Sequence, residues 1–155
     1  MTAPDPDLPT AGRFAGRAHV YPVRVYFEDT DLSGVVYHAN YLRYMERARS
    51  DMLRLAGIDQ RAAFEAGEGA WAVADLAIRY RRPARLDDAL LVVTRLLQVR
   101  AAALVIHQRV MRGTEILSEA EVVAALVAPG GRPRRQPRTW SEAFTRLVWQ
   151  EDIQG

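Results

Sequence analysis

The chain has 155 residues, of which 49% are hydrophobic and 26% charged, a balance that suits one soluble domain with its own core. It contains 0 cysteines, and its 21 basic residues are all arginine; disulfides, thiolate nucleophiles, cysteine–zinc sites and Schiff-base lysines are therefore excluded. A formal charge of +2 does not mark a polyanion binder such as a nucleic-acid protein, and no apolar run approaches the roughly 18 residues that a membrane span needs.

Residues 1–18 begin MTAPDPDLPTAGR, without a basic start followed by an apolar stretch. They read as a disordered leader and not as a secretory signal, so a cytoplasmic protein with one domain over residues 19–150 is expected. His19–Glu28 alternates and is rich in β-branched and aromatic residues, which predicts a strand with Pro22 at its start or on an edge. The small polar residues DTDLSG follow as a loop. Asn40 is then placed to cap a helix of about 17 residues. Leu42, Met45, Ala48 or Arg49, Met52 and Leu55 or Ala56 recur at helical steps as its apolar stripe. Arg43, Glu46, Arg47, Asp51 and Arg54 fall on the other faces, with Glu46 in reach of Arg43 and Arg49. Gly57 is a natural stop, and a short second helix is predicted over Gln60–Ala66.

From Trp71 the pattern becomes that of strands: Trp71–Pro83, Ala89–Arg100, Ala103–Arg112 and Glu115–Ala128, separated by the turn signals RPARLDD, RAA and RGTE. Such short connections predict antiparallel neighbours. Glu115–Ala128 has helix-forming residues, but its VVAALV core directly after a hairpin turn argues for a strand. The basic stretch Gly131–Arg138 (GRPRRQPR) reads as a solvated linker, with an arginine patch for a phosphorylated ligand as the alternative. Thr139–Gln150 closes the chain as an amphipathic helix. His19, His38 and His107 are far apart in sequence and no HExxH is present, so no metal site is expected, and His19 and His107 are read as structural.

The segment EDTDLSGVVYHANY (Glu28–Tyr41) crowds three carboxylates ahead of a glycine, an apolar run, a histidine and a helix start. Carboxylates that close repel, and each must be solvated, paired or chemically employed. A solvated acidic turn and a catalytic carboxylate are both open on these residues alone. The longer stretch VYFEDTDLSGVVYHANYLRYMERARSDMLR, together with Tyr80–Asp88 (YRRPARLDD) and Ser118–Val127 (SEAEVVAALV), resembles the 4-hydroxybenzoyl-CoA thioesterase-like family of hot-dog acyl-CoA thioesterases, in its Tol–Pal-associated branch. The resemblance covers about Tyr21 to Pro137.

That resemblance implies an α+β hot-dog fold, a long central helix wrapped by a five-stranded antiparallel sheet, with a C-terminal helix added. It implies a thioester hydrolase acting on acyl-CoA, or on acyl-carrier-protein substrates, with no cofactor. Asp31 would act as nucleophile or as general base, with His38 beside it. With no cysteine, lysine or GxSxG elbow, a carboxylate is the remaining catalyst type. Gly34, Val35, Val36 and Tyr37 would form the substrate loop, leading into a helix N-terminus whose free N–H groups suit an oxyanion. Gly34 lets the backbone turn tightly. Glu28 and Asp29 are expected to shape the turn, one capping it and the other meeting an arginine. Arg81, Arg82, Arg85 and the Arg132–Arg138 linker are the candidates for CoA phosphates. Family assembly implies a homodimer with sites at its interface, pairing again into a homotetramer. One departure stands out: relatives often carry Tyr-Tyr before EDTD, whereas this chain has Tyr26-Phe27. The rival readings are a non-catalytic acyl-CoA or acyl-carrier-protein-binding envelope module, which keeping Asp31 argues against, and a hot-dog dehydratase, whose helical His–acid pair is absent.

Overall fold

The computed structural model describes residues 3–155. In chain order it contains β1 (Arg13–Ala15), β2 (Ala18–Arg24), a 3-10 turn (Phe27–Asp29), α1 (His38–Leu55), α2 (Gln60–Glu65), β3 (Ala70–Tyr80), β4 (Ala89–Val99), β5 (Ala103–Arg112), β6 (Glu115–Val127) and α3 (Arg138–Thr145). The strands form one antiparallel sheet in the order β1-β2-β4-β5-β6-β3, with α1 laid across one face. The sheet therefore has six strands where five were expected. The extra one, β1, lies within the stretch read as a leader and pairs Arg13–Ala15 with Ala18–Val20 of β2. Beyond Val20 the outer side of β2 carries no strand among the described residues, so Pro22 sits on an edge, where a proline is tolerated.

Strand β2 stops at Arg24, short of the predicted Glu28, for a local reason. The Val25 N–H turns to the Asp88 carbonyl, and the Asp29 carboxylate accepts the Tyr26 N–H at 2.9 Å, winding the chain into the 3-10 turn. Helix α1 starts at His38, so Asn40 lies inside its first turn and is not its cap. The helix ends as expected. Gly57 is at φ 88°, its N–H bonds to the Arg54 carbonyl, and the Ile58 N–H reaches back to Leu53, a Schellman closure.

The buried face of α1 comprises Tyr41, Tyr44, Met45, Ala48 and Met52, rotated from the predicted stripe so that Leu55 is exposed. Tyr41, Tyr44, Met45 and Ala48 share one core cluster with Leu90, Val92 and Leu96 of β4, Leu104, Ile106 and Val110 of β5, and Leu117 and Val122 of β6, each of these aliphatic side chains worth about 1.5–3 kcal/mol when fully buried. Phe144 of α3 plugs the end of this core beside Trp71, on which Trp140 stacks with ring centroids 6.1 Å apart. Asp51 was expected on an exposed face but is buried. Its Oδ2 lies 2.7 Å from Nε2 of the fully buried His19 and accepts the Gly12 N–H at 3.0 Å. The predicted pairing of Glu46 with Arg43 and Arg49 does not form: Arg43 donates to Asn40 Oδ1 and Arg49 to Gln108 Oε1.

Strand β3 has an unpaired outer edge and a bulge between Val73 and Asp75. The inserted Ala74 switches the alternation, so that Trp71 before it and Leu76 and Ile78 after it all face the core. The Gly131–Arg138 stretch is not a free linker. Arg134 donates its N–H to the Leu126 carbonyl, Pro133 bridges to Val127, and buried Gln136 holds the carbonyls of Arg100 and Ala103.

Candidate active site

The acidic loop is built from backbone bonds that leave its first residues in water. Asp31 is exposed at a tight turn, where the Gly34 N–H returns to the Asp31 carbonyl and the Asp31 N–H meets the Val35 carbonyl, both at 3.0 Å. Gly34 has φ +81°, a left-handed conformation that an L side chain adopts at a cost. The Asp31 carboxylate accepts two hydrogen bonds from Ser33, one from its hydroxyl and one from its N–H at 2.8 Å. The hydroxyl bond first and the backbone bond second hold the Asp31 carboxyl below the usual aspartate value, and His38 acts in the same direction. Asp31 is therefore fully ionised near neutral pH.

Of the expected loop residues, most have their donors occupied. Gly34 N–H serves Asp31, Val36 N–H goes to the Ala84 carbonyl at 2.9 Å, and Tyr37 N–H goes to the Asp29 carbonyl at 2.9 Å. Tyr37 is the residue preceding α1 and gives its carbonyl to the Asn40 N–H. The free donors of the helix N-terminus are therefore the backbone N–H groups of His38 and Ala39, which have no helical carbonyl one turn back and no hydrogen-bond partner among the described residues. Asn40 clamps this arrangement. Its Nδ2 donates to the Asp29 carbonyl at 2.9 Å, tying the acidic loop to the helix. Asp29 thus caps the turn as expected, but Glu28 forms no ion pair among the described residues.

His38 lines an open groove with Val36, Tyr41, Tyr80, Arg81, Arg82 and Pro83; Asp31 and Arg85 stand outside its walls. Arg81 and Arg82 reach the groove already facing Glu119 at 3.1 Å and Glu115 at 3.9 Å. Arg85 bridges Val35 through its backbone, and its N–H is held by the Asp88 carboxylate. The linker arginines lie elsewhere: Arg134 contacts the Gly67 carbonyl, beside the opposite end of β3 from Tyr80.

Three residues matter here that the sequence reading did not assign to the site. Tyr80 packs edge-on to His38 and donates its hydroxyl to the His38 carbonyl at 2.9 Å. The Tyr41 hydroxyl accepts the buried Ala84 N–H at 2.9 Å, anchoring the loop after β3 to α1. Ser33, through its hydroxyl and its N–H, lowers the Asp31 pKa. Tyr41 looked like a packing residue and it is one; its hydroxyl gave no separate signal. Around the site, Phe27 is 81% exposed, Leu32 fully so, and Tyr26, Tyr37, Tyr80 and Leu86 about half.

Residues 25–146 match the thioesterase-like superfamily. Among curated proteins, the acyl-CoA thioesterase YbgC of Haemophilus influenzae is 44% identical over 128 residues, 82% of this chain and 94% of that protein. The acyl-CoA thioester hydrolase YbgC of Escherichia coli is 43% identical, over 77% of this chain and 90% of that protein. Among solved structures, a probable thioesterase from Bartonella henselae superposes with a TM-score of 0.74 at 37% identity, over 77% of this chain and 99% of that one. A hypothetical protein from Thermus thermophilus gives 0.76 at 33% identity, over 83% and 98%. With its long helix across an antiparallel sheet and this match over most of its length, the chain belongs to the thioesterase-like superfamily of hot-dog proteins.

Proposed function

We propose that the protein hydrolyses acyl-CoA thioesters, with Asp31 as the attacking group and the N-terminus of α1 as the oxyanion site. The carrying observation is the juxtaposition of an ionised, solvent-facing carboxylate with a helix start whose free donors are the His38 and Ala39 N–H groups. An exposed, ionised carboxylate is a competent nucleophile toward a thioester carbonyl, and direct attack is the route taken in this reading. An Asp31 oxygen adds to the thioester carbonyl, the C–S bond breaks, and the thiolate leaves and takes a proton from water or from the adjacent His38. Water then hydrolyses the mixed anhydride, releasing the free acid and restoring the carboxylate. Thioesters on acyl carrier protein present the same reacting group and pantetheine arm, so they fall within the same reading.

A second copy completes the site. Strand β3 offers 11 residues of unpaired edge, long enough for antiparallel pairing with its own twin. A twofold near Asp75, perpendicular to the sheet, sets the Ala70–Val73 end of one copy against the Ala77–Tyr80 end of the other, with both α1 helices on one face. Within one chain, Val73 and Tyr80 are roughly 20 Å apart along the strand, whereas across such a pair Val73 lies about 5 Å from the partner's Ala77 and about 11 Å from the partner's Tyr80. The apolar cavity beside Trp71 and Val73 would then serve the Asp31 and His38 of the partner copy. The exposed Arg132 and Arg135, near the same end, would face the CoA phosphates. A thiol-dye assay over a panel of acyl-CoAs tests the activity. Single turnover in heavy-oxygen water tests the route: label in the Asp31 carboxylate establishes an anhydride opened at the Asp31 carbonyl, and trapping with hydroxylamine detects an anhydride that water would open at the acyl carbonyl. An acyl-ligand affinity with no thiol release would replace the hydrolase with a binding module.

A further inference from the structure

Resting on that reading, one feature of the cavity concerns substrate choice. The cavity lies between α1 and strands β3, β5 and β6, and its walls are largely apolar: Met52, Leu53, Trp71, Val73, Leu104 and Ile106. Arg49 also lines it. The Arg49 guanidinium is half-buried, and among the described residues its one hydrogen bond goes to Gln108 Oε1 at 2.9 Å. No carboxylate lies within 4.0 Å of it among the described residues. Gln108 is itself fully buried, and its Nε2 donates to the Met45 carbonyl and the Thr94 hydroxyl, which fixes its Oε1 as the acceptor for Arg49. A guanidinium carries five N–H donors. The remaining ones have no hydrogen-bond acceptor among the described residues, and the side chain stands in the wall of a largely apolar cavity.

Burial lowers the pKa of Arg49 from its ordinary value, and Glu46, one turn earlier at the cavity mouth, opposes that. Glu46 offsets part of the charge from a distance but makes no hydrogen bond to it. Ser50 and Gln60 are the other polar side chains on the wall. A purely alkyl occupant would strip water from the guanidinium and return nothing, whereas an oxygen at the far end of the acyl group would accept its free N–H donors.

We propose that Arg49 is a specificity-determining residue, and that the cavity takes acyl groups carrying an oxygen acceptor distal to the thioester in preference to plain alkyl chains of equal length. The geometry supports the distance: along α1, Arg49 lies about 16 Å from His38, too far for a short acyl group bound in the same chain. The β3-paired copy brings the cavity to the partner's helix start instead.

The test compares kcat/KM for acyl-CoA sets matched in chain length and ending in methyl, hydroxyl or carboxylate. The wild type should favour at least one oxygen-ended member over its methyl partner by about tenfold or more, and Arg49→Met should bring that ratio near one. Hydroxyl and carboxylate arms separate a neutral from an anionic acceptor, and Glu46→Gln should raise the carboxylate ratio specifically. Equal wild-type rates on oxygen-ended and methyl-ended substrates, or a ratio unmoved by Arg49→Met, overturn the proposal while leaving the hydrolase intact. No thiol release from any acyl-CoA overturns both. If Arg49→Met does not fold, Arg49→Lys reads the same ratio, which should fall because the fork geometry is lost. A purified heterodimer of one Asp31→Asn chain and one Arg49→Met chain decides the sharing. Its active site retains wild-type selectivity if the cavity serves the partner copy, and loses it if each chain uses its own.

Discussion

Asp31→Asn is the most incisive perturbation, because the structure separates its chemical from its structural effect. Both hydrogen bonds received by the Asp31 carboxylate come from Ser33 and end on one oxygen, Oδ1. An asparagine carbonyl can accept the same two bonds, and the side chain is exposed, so the turn and the melting temperature should stay within about 2 °C of wild type. What is lost is the charge and the nucleophile. The expected fall in kcat is on the order of 10²–10⁴, as for removal of a positioned catalytic group, read by thiol release from an acyl-CoA. A companion variant, Ser33→Ala, removes the largest of the interactions that depress the Asp31 pKa while keeping the backbone bond. The activity of the wild type should be held through mildly acidic pH and decline only below the ordinary aspartate value near 3.8; in Ser33→Ala that acidic limb should move upward. Retention of activity within about threefold in Asp31→Asn, or an acidic limb unmoved by Ser33→Ala, would refute the assignment.

Stability should depend on pH through two buried histidines. Burial, opposed by the Asp51 and Glu119 carboxylates, holds His19 and His107 below their ordinary value of 6.5. The unfolded chain therefore takes up these protons first. Stability is fully present above about pH 6.5 and falls as the pH drops, with a slope approaching 1.4 kcal/mol per pH unit for each histidine. Urea midpoints from pH 8 to 5 check this, and a flat profile would contradict it. Tyr41→Phe should cost about 1–3 kcal/mol in chemical denaturation, because the buried Ala84 N–H loses its acceptor. Gly12→Ala should cost about 1–3 kcal/mol in thermal or urea melts, since a Cβ there lies 2.4 Å from the Val20 carbonyl oxygen and 2.8 Å from Asp51 Oδ2.

Alternation and turn residues were enough to read β4, β5 and β6 to within a residue or two, and the Gly57 stop of α1. These are local signals: a two-residue period, a positive-φ glycine, a short polar turn. The EDTDLSGVVYHANY run showed a turn followed by a helix, but it put the helix start at Asn40 and singled out Asp31 among its three acids only through the family resemblance. Other features depend on residues distant in the chain. Asp51 looks like a surface acid until His19 and Gly12 close over it. The edge position of β3, its Ala74 bulge and the placing of Arg49 in the cavity wall, with no carboxylate partner among the described residues, arise from strand order and packing, to which hydropathy along the chain is blind. The free donors of the site belong to His38 and Ala39, while the Tyr37 N–H is taken, because Asp29, eight residues back, folds under the loop and accepts it. Residue types and local spacing name the groups able to do chemistry; which of them remain unpaired and face an open space is settled by contacts between segments far apart in sequence.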